Sequence, residues 1–432
     1  MGRIIRKIKS KIPVSAISLI KTSAYNGVAT VIRMILGIIS NKICSVYLGP
    51  SGYALLGQYG NYNTIVSSLA TGGISSGVVK YVAEYYDQLD KREKIINMSL
   101  FIVLICSVIV GIISIVFCRF FSMFLLKSPQ YWSIFFISGM MITFNSVGTL
   151  ISNLLNGLRQ ITRLITTQII TNFISLGVTI PLVIYYNVYG SLLSMFIIAP
   201  IMIYINYRFL IRSGFSVRAV KPLFDKDSFL KLAKFSVMAY TSSLMVPVSQ
   251  LFIRNFIMTR ISPESAGYWQ GIDKMSNMYL AIIVSSLSLY YLPRLSEIKN
   301  QKELRKEIFL GYYIILPLIA FMGITIFFLR DFIIHLLYAP SFVPMRQLFP
   351  FQLLGDFFKI ASWLLAFLMV AKAKGKMYII TEVAFSLSYL GFSLLFIQNY
   401  GIIGVTYSYC LNYFLYFILF VFLFRGLIFK TT

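Results

Sequence analysis

Seven ionisable residues lie inside long apolar runs: the bases Arg33, Arg254, Lys274 and Lys359, and the acids Asp273, Asp356 and Glu382. A charged side chain at mid-bilayer costs about 2.5 to 3.5 kcal/mol on the insertion scale, so such groups are paired, hydrated or functional. Four cations against three anions leave a basic surplus that asks for an anion. An anion inside the membrane requires fixed positive charge around it. Arg33, Arg254, Lys274 and Lys359 are therefore candidate substrate-binding residues. Asp273, Asp356 and Glu382 are candidates to carry a coupling proton or to pair with the bases. Blander readings stand beside these. Asp356 and Lys359, three apart and about 15 Å from the helix end, can satisfy each other, Arg254 can snorkel to the outer surface, and Glu382 can reach the cytoplasmic interface.

Polar residues accompany the charges at helical spacing. Asn26, Thr30, Arg33, Gly37 and Asn41 share one stripe, and Asn61, Thr64, Ser68, Thr71 and Ser75 share another. Ser243, Pro247, Gln250 and Arg254 form a third, Gln270, Lys274 and Asn277 a fourth beside Asp273, and Gln352, Asp356, Lys359 and Trp363 a fifth. Steps of three and four put each set on one helix face. Stripes drawn from both halves of the chain predict a water-filled cavity between two lobes. Its expected polar lining is Asn26, Thr30, Asn61, Thr64, Ser68, Gln250, Gln270, Asn277 and Gln352. The plainer alternative is that Ser, Thr and Asn join helices by hydrogen bonds.

Other chemistries lack their residues. One histidine, His335, and four scattered cysteines, Cys44, Cys106, Cys118 and Cys410, cannot build a zinc, haem or iron–sulfur cage. The cysteines read as small packing residues. There is no G-x-x-x-x-G-K-[ST] phosphate cradle, so transport work must come from an ion gradient or the substrate's own gradient. H-E-x-x-H and a loop carboxylate pair of the glycosidase kind are also missing. The expectation is a transporter without cofactor or metal, not an enzyme.

The elements that must position these groups are membrane helices. The chain has 432 residues, 58% hydrophobic and 12% charged, against roughly 25% charged in a soluble domain. Apolar runs predict twelve spans, at 23–48, 51–79, 95–117, 130–157, 163–185 and 190–211, then 233–259, 266–292, 307–329, 346–371, 377–398 and 401–424. With a cytoplasmic N-terminus, twenty-nine Lys and Arg fall in inner segments and six in outer ones: Lys42, Arg119, Lys127, Arg260, Arg330 and Arg346. That bias predicts both termini in the cytoplasm and explains the net charge of +25 as topology, not a nucleic-acid surface. Residues 1–22 read as a basic leader carrying Arg3, Arg6, Lys7, Lys9 and Lys11. An N-lobe (23–211), a cytoplasmic linker (212–232), a C-lobe (233–424) and a cytoplasmic tail (425–432) follow. Ser51-Gly52-Tyr53 with Val66-Ser67-Ser68-Leu69 is echoed by Ala266-Gly267-Tyr268 with Val284-Ser285-Ser286-Leu287, as parallel repeats would be.

Gly49-Pro50-Ser51-Gly52-Tyr53, the stretch Gly77 to Tyr85, Gly267-Tyr268-Trp269-Gln270-Gly271, Tyr291 to Ser296 and Leu354-Gly355-Asp356-Phe357-Phe358-Lys359 resemble the Wzx family. These are O-antigen and enterobacterial-common-antigen flippases of the multidrug/oligosaccharidyl-lipid/polysaccharide exporter superfamily. The resemblance implies an all-α polytopic fold of twelve helices in two six-helix lobes, forming a V around a central cavity. It also implies alternating access that moves an undecaprenyl-diphosphate-linked oligosaccharide from the cytoplasmic to the periplasmic leaflet of a bacterial inner membrane. The Gly-Asp-x-x-Lys stretch matches at Gly355, Asp356 and Lys359, and Arg33 falls where the family's cavity is cationic. Expected partners are the lipid-linked glycan, the bilayer, and a polysaccharide polymerase with its chain-length regulator. A monomer with no nucleic-acid partner is expected. Two rivals are a drug or metabolite exporter of the same superfamily, which would favour an acidic cavity, and a glycan polymerase, which would show a large outer loop; the longest here is about 330–345.

Overall fold

The computed structural model describes residues 14–212, 221–372 and 374–428; the side chains of 14–24, Asn26, Ser286 and Leu289 are outside it. Most of the basic leader, residues 213–220 of the linker and the last four of the tail lie outside the described residues.

Those described are helical almost throughout, with no strand. The first helix, α1 (Val14–Ala70), carries two predicted spans as one run broken at Gly49, where φ is 61° and ψ −177°. Only glycine adopts that conformation readily, and Pro50 behind it restarts the helix at a new angle. The second span was expected unbroken over 51–79. Instead α1 stops at Ala70, and consecutive glycines, Gly72 (φ 67°) and Gly73 (φ 64°), turn the chain into α2 (Ser75–Glu84). Two adjacent positive φ angles cannot continue a right-handed helix.

There follow α3 (Leu89–Val116), α4 (Cys118–Leu126), α5 (Trp132–Gly157) and α6 (Ile161–Arg212). A kink at Asn187 (φ 49°) divides α6 where two spans were predicted to meet. The second half comprises α7 (Lys226–Arg260), α8 (Pro263–Ser286), α9 (Leu292–Glu297), α10 (Gln301–Phe328), α11 (Arg330–Leu337), α12 (Phe349–Ala371), α13 (Gly375–Tyr400), α14 (Ile403–Leu423) and α15 (Arg425–Ile428). The eighth predicted span passes through a π-helical turn at Leu287–Tyr291 and runs on into α9. The segment read as an outer loop after 329 is α11 and a 3-10 turn, Pro340–Leu348.

Nine of the described helical runs, including kinked α1 and α6, are long and apolar enough to cross a bilayer. The chain is a multi-pass all-α membrane protein. Side-chain caps fix several helix starts. Asp225 accepts from the Ser228 N–H at 2.9 Å before α7, Ser262 accepts from the Ser265 N–H at 3.1 Å before α8, and Asn300 accepts from the Lys302 N–H at 2.8 Å before α10. Each occupies an orphan donor of a first turn.

Packing joins the two halves near Gly49. Tyr53 and Ala54 of α1 share one buried cluster with Ile253, Ala266, Trp269, Tyr338 and Phe342 from beyond the linker. Gly267 makes this approach possible, since a Cβ there would collide with the Pro50 carbonyl. Lipid is as apolar as these side chains, so close van der Waals fit, not burial from water, supplies the attraction.

Candidate functional site

At the Gly49 end, α1 is tied to the second half by polar contacts. Lys42 donates to the carbonyls of His335 (2.6 Å) and Tyr338 (2.5 Å), and Asn41 Nδ2 donates to that of Leu337 at 2.9 Å. These are the unpaired terminal carbonyls of α11, which favour a cation. The Ala339 N–H donates to Ser45 Oγ at 3.0 Å, the Tyr53 hydroxyl donates to Asn41, and Ser51 donates to Glu264 at 2.6 Å.

Deeper in, Arg254 of α7 is 1% exposed. It donates to Gln58 of α1 at 3.4 Å and to Gln270 of α8, and its guanidinium stacks 5.1 Å from the Trp269 ring centroid. Its Nε has no partner. Asp273, one turn along α8 from Gln270, accepts from Gln250 at 3.4 Å and Asn277 at 3.2 Å. Its charge interacts with both Lys359 and Arg254.

Asp356 of α12 is fully buried and accepts three hydroxyls: Ser276 at 2.7 Å, Tyr279 at 2.5 Å and Tyr409 of α14 at 2.7 Å. Lys359, 9% exposed, stands among aromatic rings, 5.2 Å from the Trp363 centroid, 5.5 Å from Tyr413 and 5.8 Å from Tyr409. Glu382, half-buried on α13, interacts electrostatically with the same lysine, as do Asp356 and Asp273. One ammonium thus couples to three carboxylates. Among the described residues the ion pairs within 4.0 Å all lie elsewhere: Arg294 with Glu297 and Glu307, and Arg346 with Asp331. Asp356 and Lys359 therefore do not form the satisfied pair that their spacing allowed.

A cleft of about 570 Å³ opens between the Ala70 end of α1, α2 and α7. Eight of its thirteen lining residues carry hydroxyls, Ser67, Ser68, Thr71, Ser75, Ser76, Thr149, Ser242 and Ser243, beside one ammonium, Lys234, while Phe235, Met238, Ala239 and aliphatic carbon make most of the exposed wall apolar. Ser68 and Ser243 meet at 2.5 Å across it. Such a surface offers many neutral donors and acceptors and little fixed charge, which suits a sugar.

The four expected bases do not converge. Arg254 and Lys359 share Asp273 as a neighbour, Lys274 lies on the other side of α8 with its ammonium 5.3 Å from the Tyr53 centroid, and exposed Arg33 donates to Gln168 of α6 at 2.7 Å. The snorkelling alternative for Arg254 is excluded by its burial. The interior of the second half balances three acids with Arg254, Lys274 and Lys359, leaving Arg33 as the surplus. Of the expected polar lining, Ser68 reaches the cleft, and Gln250, Gln270 and Asn277 serve the Arg254–Asp273 network. Exposed Thr64 donates to the Gly60 carbonyl within its own helix. Thr30 is half-buried, while Asn61 Nδ2 and Gln352 Oε1 are buried without a partner. Asn26 has its side chain outside the described residues. Gln58 and Lys234 escaped the sequence reading. Gln58 extends the Asn61–Thr64–Ser68 stripe by one step of three, a legible signal, whereas Lys234, at the start of the predicted 233–259 span, looks in sequence like the basic residues of the linker before it.

Comparison with known proteins follows this geometry. The chain is 28% identical over 407 residues to the lipid III flippases of Escherichia coli (strain K12) and Shigella flexneri, covering 93% of this chain and 96% of each relative. In fold it is similar to an inward-facing multidrug resistance MATE family transporter of the MOP superfamily (TM-score 0.75, 12% identity, 93% of this chain and 100% of that one). It is also similar to the lipid II flippase MurJ in an inward closed conformation (TM-score 0.73, 15% identity, 94% and 87%). A MOP superfamily transporter from Pyrococcus furiosus gives a TM-score of 0.69 at 14% identity, over 95% and 97%. The polysaccharide biosynthesis protein family matches residues 19–299, more than half of the sequence, and the chain belongs to that family.

Proposed function

We propose that this protein is a flippase that carries a polyprenyl-diphosphate-linked oligosaccharide between the leaflets of a bacterial inner membrane. The observation that carries the reading is its likeness to lipid III flippases along nearly the whole of both chains. Two six-helix lobes, 23–211 and 233–424, alternate access to a site between them, with both termini in the cytoplasm. The closed contacts at the Gly49 end and the hydroxyl-lined cleft at the opposite end support a state open to the cytoplasmic side.

In this reading the glycan enters against the hydroxyls of Ser68, Ser75 and Ser243, with Lys234 at the mouth for the diphosphate. The polyprenyl tail stays in lipid, because its transfer to water would cost about 0.8 kcal/mol per CH₂. Arg33, Lys274 and Lys359 are the bases that attract the diphosphate as access switches. Arg254 gives Nη donors to Gln58 and Gln270, and joins the halves. An ion gradient drives return of the empty carrier through Asp356, Asp273 or Glu382, all of which report to Lys359.

The test is reconstitution in vesicles with a lipid-linked oligosaccharide in the outer leaflet, following its loss from attack by an impermeant glycosidase. Protection well above that in protein-free vesicles is expected. Protection equal to the protein-free control, with retained export of cationic drugs, would replace this reading with the antiporter one.

A further inference from the structure

Away from the interface between the halves, α10 and the first half of α12 enclose an apolar trough of about 530 Å³, with Ile319, Gly323, Phe327, Leu353 and Phe357 among its walls. At Phe327 and Pro350 it runs into a second recess of about 460 Å³, lined also by Arg330, Arg346 and Gln347. Arg330 is held in place, donating to the Phe327 carbonyl at 2.9 Å and stacking 4.3 Å from that ring's centroid. Arg346 lies 3.8 Å from Asp331, so the recess keeps a net charge of about +1 with two guanidiniums and an amide facing it.

Three features single this place out. Its two arginines belong to the six basic residues assigned to outer segments, where lysine and arginine are depleted. Ile319 to Phe328 is ten residues, nine helical steps or about 13.5 Å, close to the roughly 15 Å hydrocarbon depth of one leaflet. The apolar trough and the cationic recess share Phe327 and Pro350 as walls, so one molecule with a long tail and an anionic head can lie across both. A phosphodiester head brings one negative charge; two guanidiniums with an amide suit a diphosphate better, through forked hydrogen bonds.

The geometry points to a binding site for a polyprenyl diphosphate in the outer leaflet, where the translocated product rests before release. The inference deepens the flippase reading and rests on it for the choice of lipid.

The test uses the full chain in phosphatidylcholine nanodiscs with a photoreactive polyprenyl diphosphate, labelled peptides being located by mass spectrometry. Labelling of residues 319–328 and 350–357 is expected in the wild type, and excess phosphatidylglycerol should not displace it. Arg330→Gln with Arg346→Gln should cut that labelling at least fivefold. Gly323→Leu should do the same without loss of thermal stability, because a Cβ at Gly323 meets open space. Undiminished labelling in both variants, or equal displacement by phosphatidylglycerol, overturns the site. Glycan transport that persists while labelling is absent would leave the flippase reading intact and sink this inference alone. Arginine-dependent labelling without transport would do the reverse.

Discussion

Arg254 on α7 reaches Gln58 on α1 at 3.4 Å while also donating to Gln270, so one guanidinium ties together helices from the two halves of the chain. Removing it takes this donor from the amide oxygens of both Gln58 and Gln270. Arg254→Met should therefore lower thermal stability by about 1 to 2 kcal/mol, near the top of the range for polar contacts inside membranes. Adding Gln270→Leu should restore part of that loss. Thermal unfolding in detergent measures both; additive losses in the double variant would show that the two side chains act independently.

Asp356 accepts Ser276, Tyr279 and Tyr409, three hydroxyls that rotate to suit an acceptor or a donor. Asp356→Asn should accordingly fold, and lose charge alone. If this carboxylate couples transport to protons, the variant's flipping rate in vesicles should be the same with and without a pH gradient, while the wild type responds. An unchanged gradient response would move the coupling to Asp273 or Glu382. Tyr409→Phe should cost about 0.6 to 1.7 kcal/mol of stability by the same measure.

The fold was largely legible in sequence because lipid demands long apolar helices, and Gly49 marked the first reversal by itself. The turn at Gly72–Gly73 was written as plainly, yet an apolar count runs straight through two glycines. The site was half legible. Spacing put Gln352, Asp356 and Lys359 on one face, but the Tyr279 and Tyr409 hydroxyls that satisfy Asp356 come from other helices, and no local pattern announces a long-range partner. The same limit hid the separation of Arg33 from the other bases. Charges can be counted along a chain, but their distances are set by tertiary packing.

Closure at the Gly49 end makes a mechanical prediction. Ser51 and Glu264 touch at 2.6 Å from opposite halves. In a variant lacking Cys44, Cys106, Cys118 and Cys410, Ser51→Cys with Glu264→Cys joined by a short bis-maleimide should stop flipping. Reagent access to the cleft at Ser76 should persist. Transport at full rate after complete cross-linking would mean that this end never opens.

Asp225 caps α7 outside the membrane, and the hydrogen bonds it accepts from Ser228 hold its carboxyl below the ordinary range. The folded value being the lower one, its contribution is present above about pH 3.9 and is lost as pH falls through the folded value. Because the group is largely solvated, Asp225→Ala should cost about 1 kcal/mol at neutral pH, the usual worth of a cap. Asp225→Asn should keep most of that stability and flatten its dependence between pH 5 and 3. Thermal unfolding across that window decides it.

Lys359 offers the sharpest test of whether positive charge inside the membrane serves structure or substrate. Its ammonium is held by the rings of Trp363, Tyr409 and Tyr413, which attract a cation but neutralise nothing, and no carboxylate comes within 4.0 Å of it among the described residues. A lysine so placed keeps its charge available to an entering anion. Lys359→Met preserves the stem that fills the cage, so the fold should survive with a change of about 1 kcal/mol or less. Transport should nevertheless fall at least tenfold if the charge meets the diphosphate, and Lys359→Arg should recover more of it than Lys359→Gln. A methionine variant that transports normally would leave Lys359 as a counter-charge to Asp273, Asp356 and Glu382, and a large loss of thermal stability would point the same way.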